Sequence, residues 1–222
     1  MDALRTKLRR IIAKEMTQDP AHDIAHLDRV WANAHRIARD EGNADLRVLL
    51  AAAYLHDLVN LPKDAPNRSA ASRLSANAAE PLLRSLDYSD NEITATQHTI
   101  EAHSFSAQIP PQSAEAFILR DADRLDALGA IGIARTFMVA GNMGRALCDP
   151  LDPFAANRAL DEQTWSIDHW HLKLLKLPGE MVTAKGRKIA NKRARLMLAY
   201  LTQLSKEMDT VLPEYWFELL EQ

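Results

Sequence analysis

Apolar and polar positions repeat with helical spacing from the first residues of the chain. Leu4, Leu8, Ile11 and Ile12 follow the i, i+4, i+7, i+8 pattern of an amphipathic helix. Leu27, Val30, Trp31, Ala34, Ile37 and Ala38 predict a second helix, with Gly42 as its stop. A third, from about Asp45 to Asp57, carries Leu46, Leu49, Leu50, Ala53 and Tyr54 on one stripe. After "NLPKDAPNRS" a fourth segment begins near Ser69, and Pro81 should break or kink it, because proline lacks the N–H of the helical ladder. Ser89 stands three residues before Glu92, a capping-box spacing that opens a fifth helix. The stretch "SAEAFILRDADRLDALGAIGIARTF" predicts a sixth from about Ser113. The turn-rich "GNMGRALCDPLDPFAANRAL" is the one candidate for a long internal loop. Beyond it come two more helices, one ending at Pro178-Gly179 and one with Ile189, Arg193, Leu196, Met197, Tyr200 and Leu204 on a face.

No stretch alternates apolar and polar residues over a strand's length, and glycine is scarce at seven residues. The expected fold is therefore all-α: a single globular helical bundle over residues 1–222, with a C-terminal helical extension at about 155–210. Charged residues make up 26% and hydrophobic ones 47%, the proportions of a folded globular chain. A net charge of −3 argues against bulk nucleic-acid binding, which needs a clustered basic face. One cysteine, Cys148, permits no internal disulfide and suits a reducing compartment. The N-terminal stretch has charges throughout, and no run of about 18 apolar residues occurs, so a cytoplasmic, membrane-free protein is expected.

Four places concentrate imidazole and carboxylate: His22, Asp23 and His26 in "HDIAHLDRV"; His56 and Asp57 in "LHD"; His98 and His103 in "HTIEAHS"; and Asp121, Asp123 and Asp126 in "RDADRLDALGA". Each lies on or at the end of a predicted helix. Histidine and aspartate without thiolate are borderline-to-hard ligands, suited to Mn, Fe, Co, Ni, Zn or Mg. Asp57 follows an apolar run, and a buried carboxylate is costly unless a cation compensates it. Neighbours on a helix point about 100° apart, so His56 and Asp57 can share one ion only at the helix end. The remaining ligands must then come from other helices.

The blocks "HLDRV", "LHD" and "DADRLDALG" resemble, in order and spacing, the H…HD…D signature of the HD-domain metal-dependent phosphohydrolases. The resemblance covers about residues 20–140. With "EAHSFS" and "DHWHLKLLKLPGEMVTAKGRKIA", it extends to a small bacterial branch that includes enzymes releasing pyrophosphate from nucleoside triphosphates. It implies a divalent metal held by His26, His56, Asp57 and Asp123, with Asp123 preferred to Asp121 because it precedes the "RL" pair.

The resemblance further implies a cation that activates water for attack at phosphorus, on a small phosphate substrate such as a nucleotide. Asp57, His103 and Asp23 are the candidate catalytic residues, with His103 ahead of His98 for its family match. Helix capping is the competing role for Asp23. Lys63, Arg73 and Lys173 are candidate phosphate contacts, the last together with His169. Branches carrying HDxxE place a glutamate where this chain has Asn60, so a mechanism through that carboxylate does not transfer. The alternatives are a nucleotide phosphomonoesterase, a phosphodiesterase, or a non-catalytic nucleotide-binding module.

Overall fold

The computed structural model describes residues 1–16, 23–61, 67–104 and 106–220. Among these the regular structure is helical, with one isolated bridge between Ala146 and Trp165, as expected for an all-α fold. No helix among the described residues is long and apolar enough to cross a membrane. The chain forms two compact units, Met1–Asp123 and Arg124–Gln222.

The first unit contains α1 (Asp2–Glu15), α2 (Ile24–Glu41), α3 (Leu46–Leu55), α4 (Ala71–Ser85), α5 (Asp90–His103) and most of α6 (Ala114–Leu125). A 3-10 turn at Arg68–Ala70 leads into α4. Every residue of α3 from Val48 to Leu55 is buried. A helix that is apolar all round must be surrounded, and α3 packs against α1, α2, α4 and α5. Its start is set by Asp45, whose carboxylate accepts from the Arg47 and Val48 amides. α2 stops at Gly42 in a left-handed conformation, φ 76°, which favours glycine. The Ser89–Glu92 capping box forms at the start of α5.

The break expected at Pro81 does not occur, since α4 runs from Ala71 through Pro81 to Ser85. The carbonyl deprived of a partner is that of Asn77, an exposed position where water can satisfy it.

The second unit contains α7 (Gly129–Asn142), α8 (Asp168–Leu172), α9 (Leu177–Glu180), α10 (Ala184–Glu207) and α11 (Tyr215–Glu218). The long helix expected from Ser113 is two helices, parted at 126–128. Gly129 takes φ 74°, and a Cβ at Gly132 would lie 2.2 Å from the Ala127 carbonyl oxygen, so only glycine allows the turn to fold so tightly onto α7. Residues 143–167 form the expected loop, fastened by backbone bonds from Ser166 and Ile167 to the Ala146 and Leu147 carbonyls. The segment predicted as one helix ending at Pro178-Gly179 is a run of short turns, with both residues inside α9. The buried face of α10 passes through Gly186, Ala190, Ala194, Met197 and Leu201, and Leu196 stays 49% exposed. Small residues carry the first half of that face, where a stripe of large apolar positions misses it, and Met197, Leu198 and Leu201 carry the second.

Candidate metal centre

His56 closes α3 with helical backbone angles, and its N–H bonds the Ala52 carbonyl at 3.0 Å. Asp57 follows in the turn, so the two side chains converge at the helix end: His56 Nε2 lies 3.4 Å from Asp57 Oδ2. α2 brings His26 from its first turn, and α6 brings Asp123 from its last. His26 Nε2 is 3.7 Å from Asp57 Oδ2 and 3.5 Å from Asp123 Oδ1. His56 Nε2 is 3.8 Å from the same Asp123 oxygen. His103 ends α5 and stands with its Nε2 3.9 Å from Asp57 Oδ1, its ring edge-on to His56 at 4.8 Å between centroids.

These separations are longer than direct hydrogen bonds, yet short enough for atoms lying about 2.0–2.2 Å from one shared ion. The ligand atoms of His26, His56 and Asp123, and those of His56, Asp57 and His103, each fall within 4.8 Å of one another. His56 Nε2 is buried and has no hydrogen-bond partner, a cost that coordination would remove. The ring's other nitrogen, Nδ1, lies 3.1 Å from the Ala53 carbonyl. A carbonyl can only accept, so Nδ1 carries the hydrogen and Nε2 presents its lone pair. His103 Nδ1 meets the Ile100 carbonyl in the same way. Burial, reinforced by His56, holds His103 below the ordinary histidine pKa despite Asp123 and Asp57, which favours the neutral, ligand-competent ring. The donor set and its geometry fit a divalent cation.

Residues 23–128 match the family model described as the HD domain. The uncharacterized protein YpgQ of Bacillus subtilis (strain 168) is 33% identical over 216 residues, which cover 95% of this chain and 94% of the relative. This chain belongs to the HD-domain phosphohydrolase superfamily. The crystal structure of B. subtilis YpgQ in complex with ADP superposes with a TM-score of 0.70 at 33% identity, over 93% of this chain and 96% of that one. An HD-superfamily hydrolase from Bacillus thuringiensis gives a TM-score of 0.70 at 30% identity, over 95% and 97% of the two chains.

The HD pair itself is His56-Asp57, and the four positions expected as ligands converge, with His103 beside them. His56 is fully buried, whereas the Asp57 side chain keeps 18% exposure, more open than the apolar run before it suggests. Asp121 is buried away from solvent, while Asp123 faces the cluster with 31% of its side chain exposed. His98 is turned elsewhere, accepting from the Gln112 amide at 3.1 Å. Asp23 caps α2, its carboxylate accepting from the His26 N–H at 2.7 Å, which anchors the turn that carries His26.

Lys63 and His22 lie outside the described residues. Arg73 is exposed in the first turn of α4. Lys173 is bound to Glu162 at 2.7 Å, and the same carboxylate meets His169 Nδ1 at 2.6 Å. Arg124, next to Asp123, is buried and paired with Glu180 at 3.1 Å.

Two residues went unmarked in the sequence. Ser75 on α4 accepts from the Val59 amide at 3.0 Å and donates to the Val59 carbonyl. Arg68 donates to Asn60 Oδ1 at 2.9 Å and to the Leu61 carbonyl. Together they fasten the segment that follows the HD pair. A serine on a helix and an arginine in a turn carry no local signal of that role.

Proposed function

We propose that the protein is a nucleotide phosphohydrolase that releases pyrophosphate from nucleoside triphosphates. The observation that carries it is the convergence of His26, His56, Asp57 and Asp123, with the buried His56 Nε2 lacking a hydrogen-bond partner. The ADP bound in the crystal structure of YpgQ supports a nucleotide as the ligand class. These four residues would hold the ion, which when bound lowers the pKa of water and polarises a phosphoryl oxygen.

The chain's own groups supply the rest. His103, neutral and with Nδ1 tied to a carbonyl, has Nε2 as the atom able to take a proton from attacking water. Asp57 stands beside Nε2 of both His56 and His103, so its carboxylate would meet the ion next to the two imidazoles, whose rings are held from the other side by the Ala53 and Ile100 carbonyls. Asp23 has one carboxylate oxygen engaged in capping and is the second candidate for proton handling. Arg73, Lys63 and Lys173 remain proposed contacts to the phosphate chain, Lys173 only if it leaves Glu162.

The test is product analysis. Purified protein is supplied with Mn²⁺, Co²⁺, Ni²⁺ or Mg²⁺ and given nucleoside triphosphates, monophosphates and model phosphodiesters. Pyrophosphate and a monophosphate are the expected products, and Asp57→Ala should fall to background. Orthophosphate from monophosphates would instead make the protein a monoesterase, and cleavage of the diester alone a phosphodiesterase. Nucleotide affinity without turnover under any metal would make it a binding module.

A further inference from the structure

Asn60 occupies the place of the glutamate in the HDxxE branches, and in this fold it has a specific partner. Arg68 Nη1 donates to Asn60 Oδ1 at 2.9 Å and to the Leu61 carbonyl, both neutral acceptors. Among the described residues no carboxylate lies within ion-pair distance of Arg68. The side chain is half-buried, so its charge is neither cancelled by a carboxylate among the described residues nor fully given up to water. Asn60 stands three residues after Asp57, which limits their Cα separation to about 11 Å. The guanidinium is therefore tied to the segment that leaves the HD pair. Its five N–H groups are only partly used by the two bonds through Nη1, and a planar guanidinium matches phosphate oxygens two at a time.

We propose that Arg68 contacts the phosphate chain of the substrate and that Asn60 holds it there without neutralising it, an assignment that rests on the nucleotide phosphohydrolase proposed above. A carboxylate at position 60 would pair with Arg68 and cancel the charge that an anionic substrate needs. The amide orients the same guanidinium through one hydrogen bond and leaves its charge for the ligand. Position 60 thus serves substrate binding through Arg68 rather than proton transfer.

The experiment uses full-length protein loaded with Mn²⁺ and the variants Arg68→Gln, Arg68→Lys and Asn60→Glu. It measures steady-state kinetics on a nucleoside triphosphate, calorimetric affinity for inorganic triphosphate, and bound metal. Arg68→Gln should raise KM and weaken inorganic triphosphate binding by roughly ten- to a hundred-fold, the scale of a charge-assisted hydrogen bond, with a smaller change in kcat and the metal retained. Arg68→Lys should recover part of the loss. Asn60→Glu should weaken triphosphate binding although Arg68 is still present, and this variant carries the test if Arg68→Gln does not fold.

Unchanged KM and triphosphate affinity in Arg68→Gln, with metal retained, would overturn the assignment. So would a joint fall in kcat, metal content and thermal midpoint accompanied by a wild-type-like Asn60→Glu, the mark of a purely structural tether. Absence of nucleotide turnover by the wild type would defeat the proposed function alone. The titrations with inorganic triphosphate would still decide on Arg68: weaker binding in both Arg68→Gln and Asn60→Glu upholds it, and equal binding removes it.

Discussion

Asp121 and Asp123 are two residues apart on α6, about 200° around its axis, and meet different surroundings. Asp121 is completely buried in the first unit, while Asp123 Oδ1 lies 3.5 Å from His26 Nε2 and 3.8 Å from His56 Nε2. Asp123→Ala should therefore lose the bound metal and nearly all turnover with little change in helix content, read by elemental analysis and circular dichroism. Asp121→Asn should keep the metal and lower unfolding stability by about 1–3 kcal/mol, the cost of disturbing a buried polar partnership, read by denaturant titration. The match to the "DADRL" block singled out Asp123, and the two aspartates were otherwise alike in sequence. Lys173 was harder to judge, since its partner Glu162 lies across a loop whose path no periodicity records.

At the scale of elements, α3 is both the centre of the first unit and the support of the HD pair. Its last turn carries Tyr54, whose hydroxyl accepts from Arg5 Nε of α1 at 2.8 Å and donates to Asp28 of α2 at 2.5 Å. Burial, helped by the bond to Asp28, pushes the Tyr54 pKa up to about 12, and burial does the same for Tyr88. A phenol whose folded pKa exceeds its unfolded value of about 10 stabilises the fold fully below pH 10. That contribution is lost as the pH rises from 10 to 12, because the unfolded chain gives up the proton first. Denaturant unfolding should therefore weaken steeply across this window. Tyr54→Phe should shallow the decline and cost about 1–3 kcal/mol at neutral pH, since it leaves Arg5 and Asp28 without their shared hydroxyl. Most helix positions were legible because capping and periodicity act over a few residues, as at Ser89–Glu92 and Gly42. The division between α6 and α7 was not, because a long apolar pattern conceals a turn that depends on Gly132 packing against a backbone carbonyl.

At the scale of the whole molecule, the candidate ligands come from α2, α6 and the end of α3, so a site built from them exists only in the folded chain. An ion that binds only the folded state stabilises it by mass action, about 2.7 kcal/mol at a hundred times its dissociation constant. The thermal midpoint should rise with added Mn²⁺ or Co²⁺ and fall with a chelator. His26→Ala should abolish the dependence, because it removes the α2 contribution to the cluster. A midpoint indifferent to metal in the unaltered protein would show that these side chains do not form a binding site.

The sequence by itself determined the helical character of the chain, the start and stop of most of its helices, and the four positions, His26, His56, Asp57 and Asp123, singled out as candidate metal ligands. Those are written in spacings of three to four residues, in caps, and in motifs a few residues long. Tertiary structure alone decided that His56 Nε2 is left without a hydrogen-bond partner, that Gly186, Ala190 and Ala194 form the first half of the buried face of α10, and that Asn60 meets Arg68. Such facts depend on which helices pack together and at what distance, a balance of burial and sterics among residues far apart in the chain.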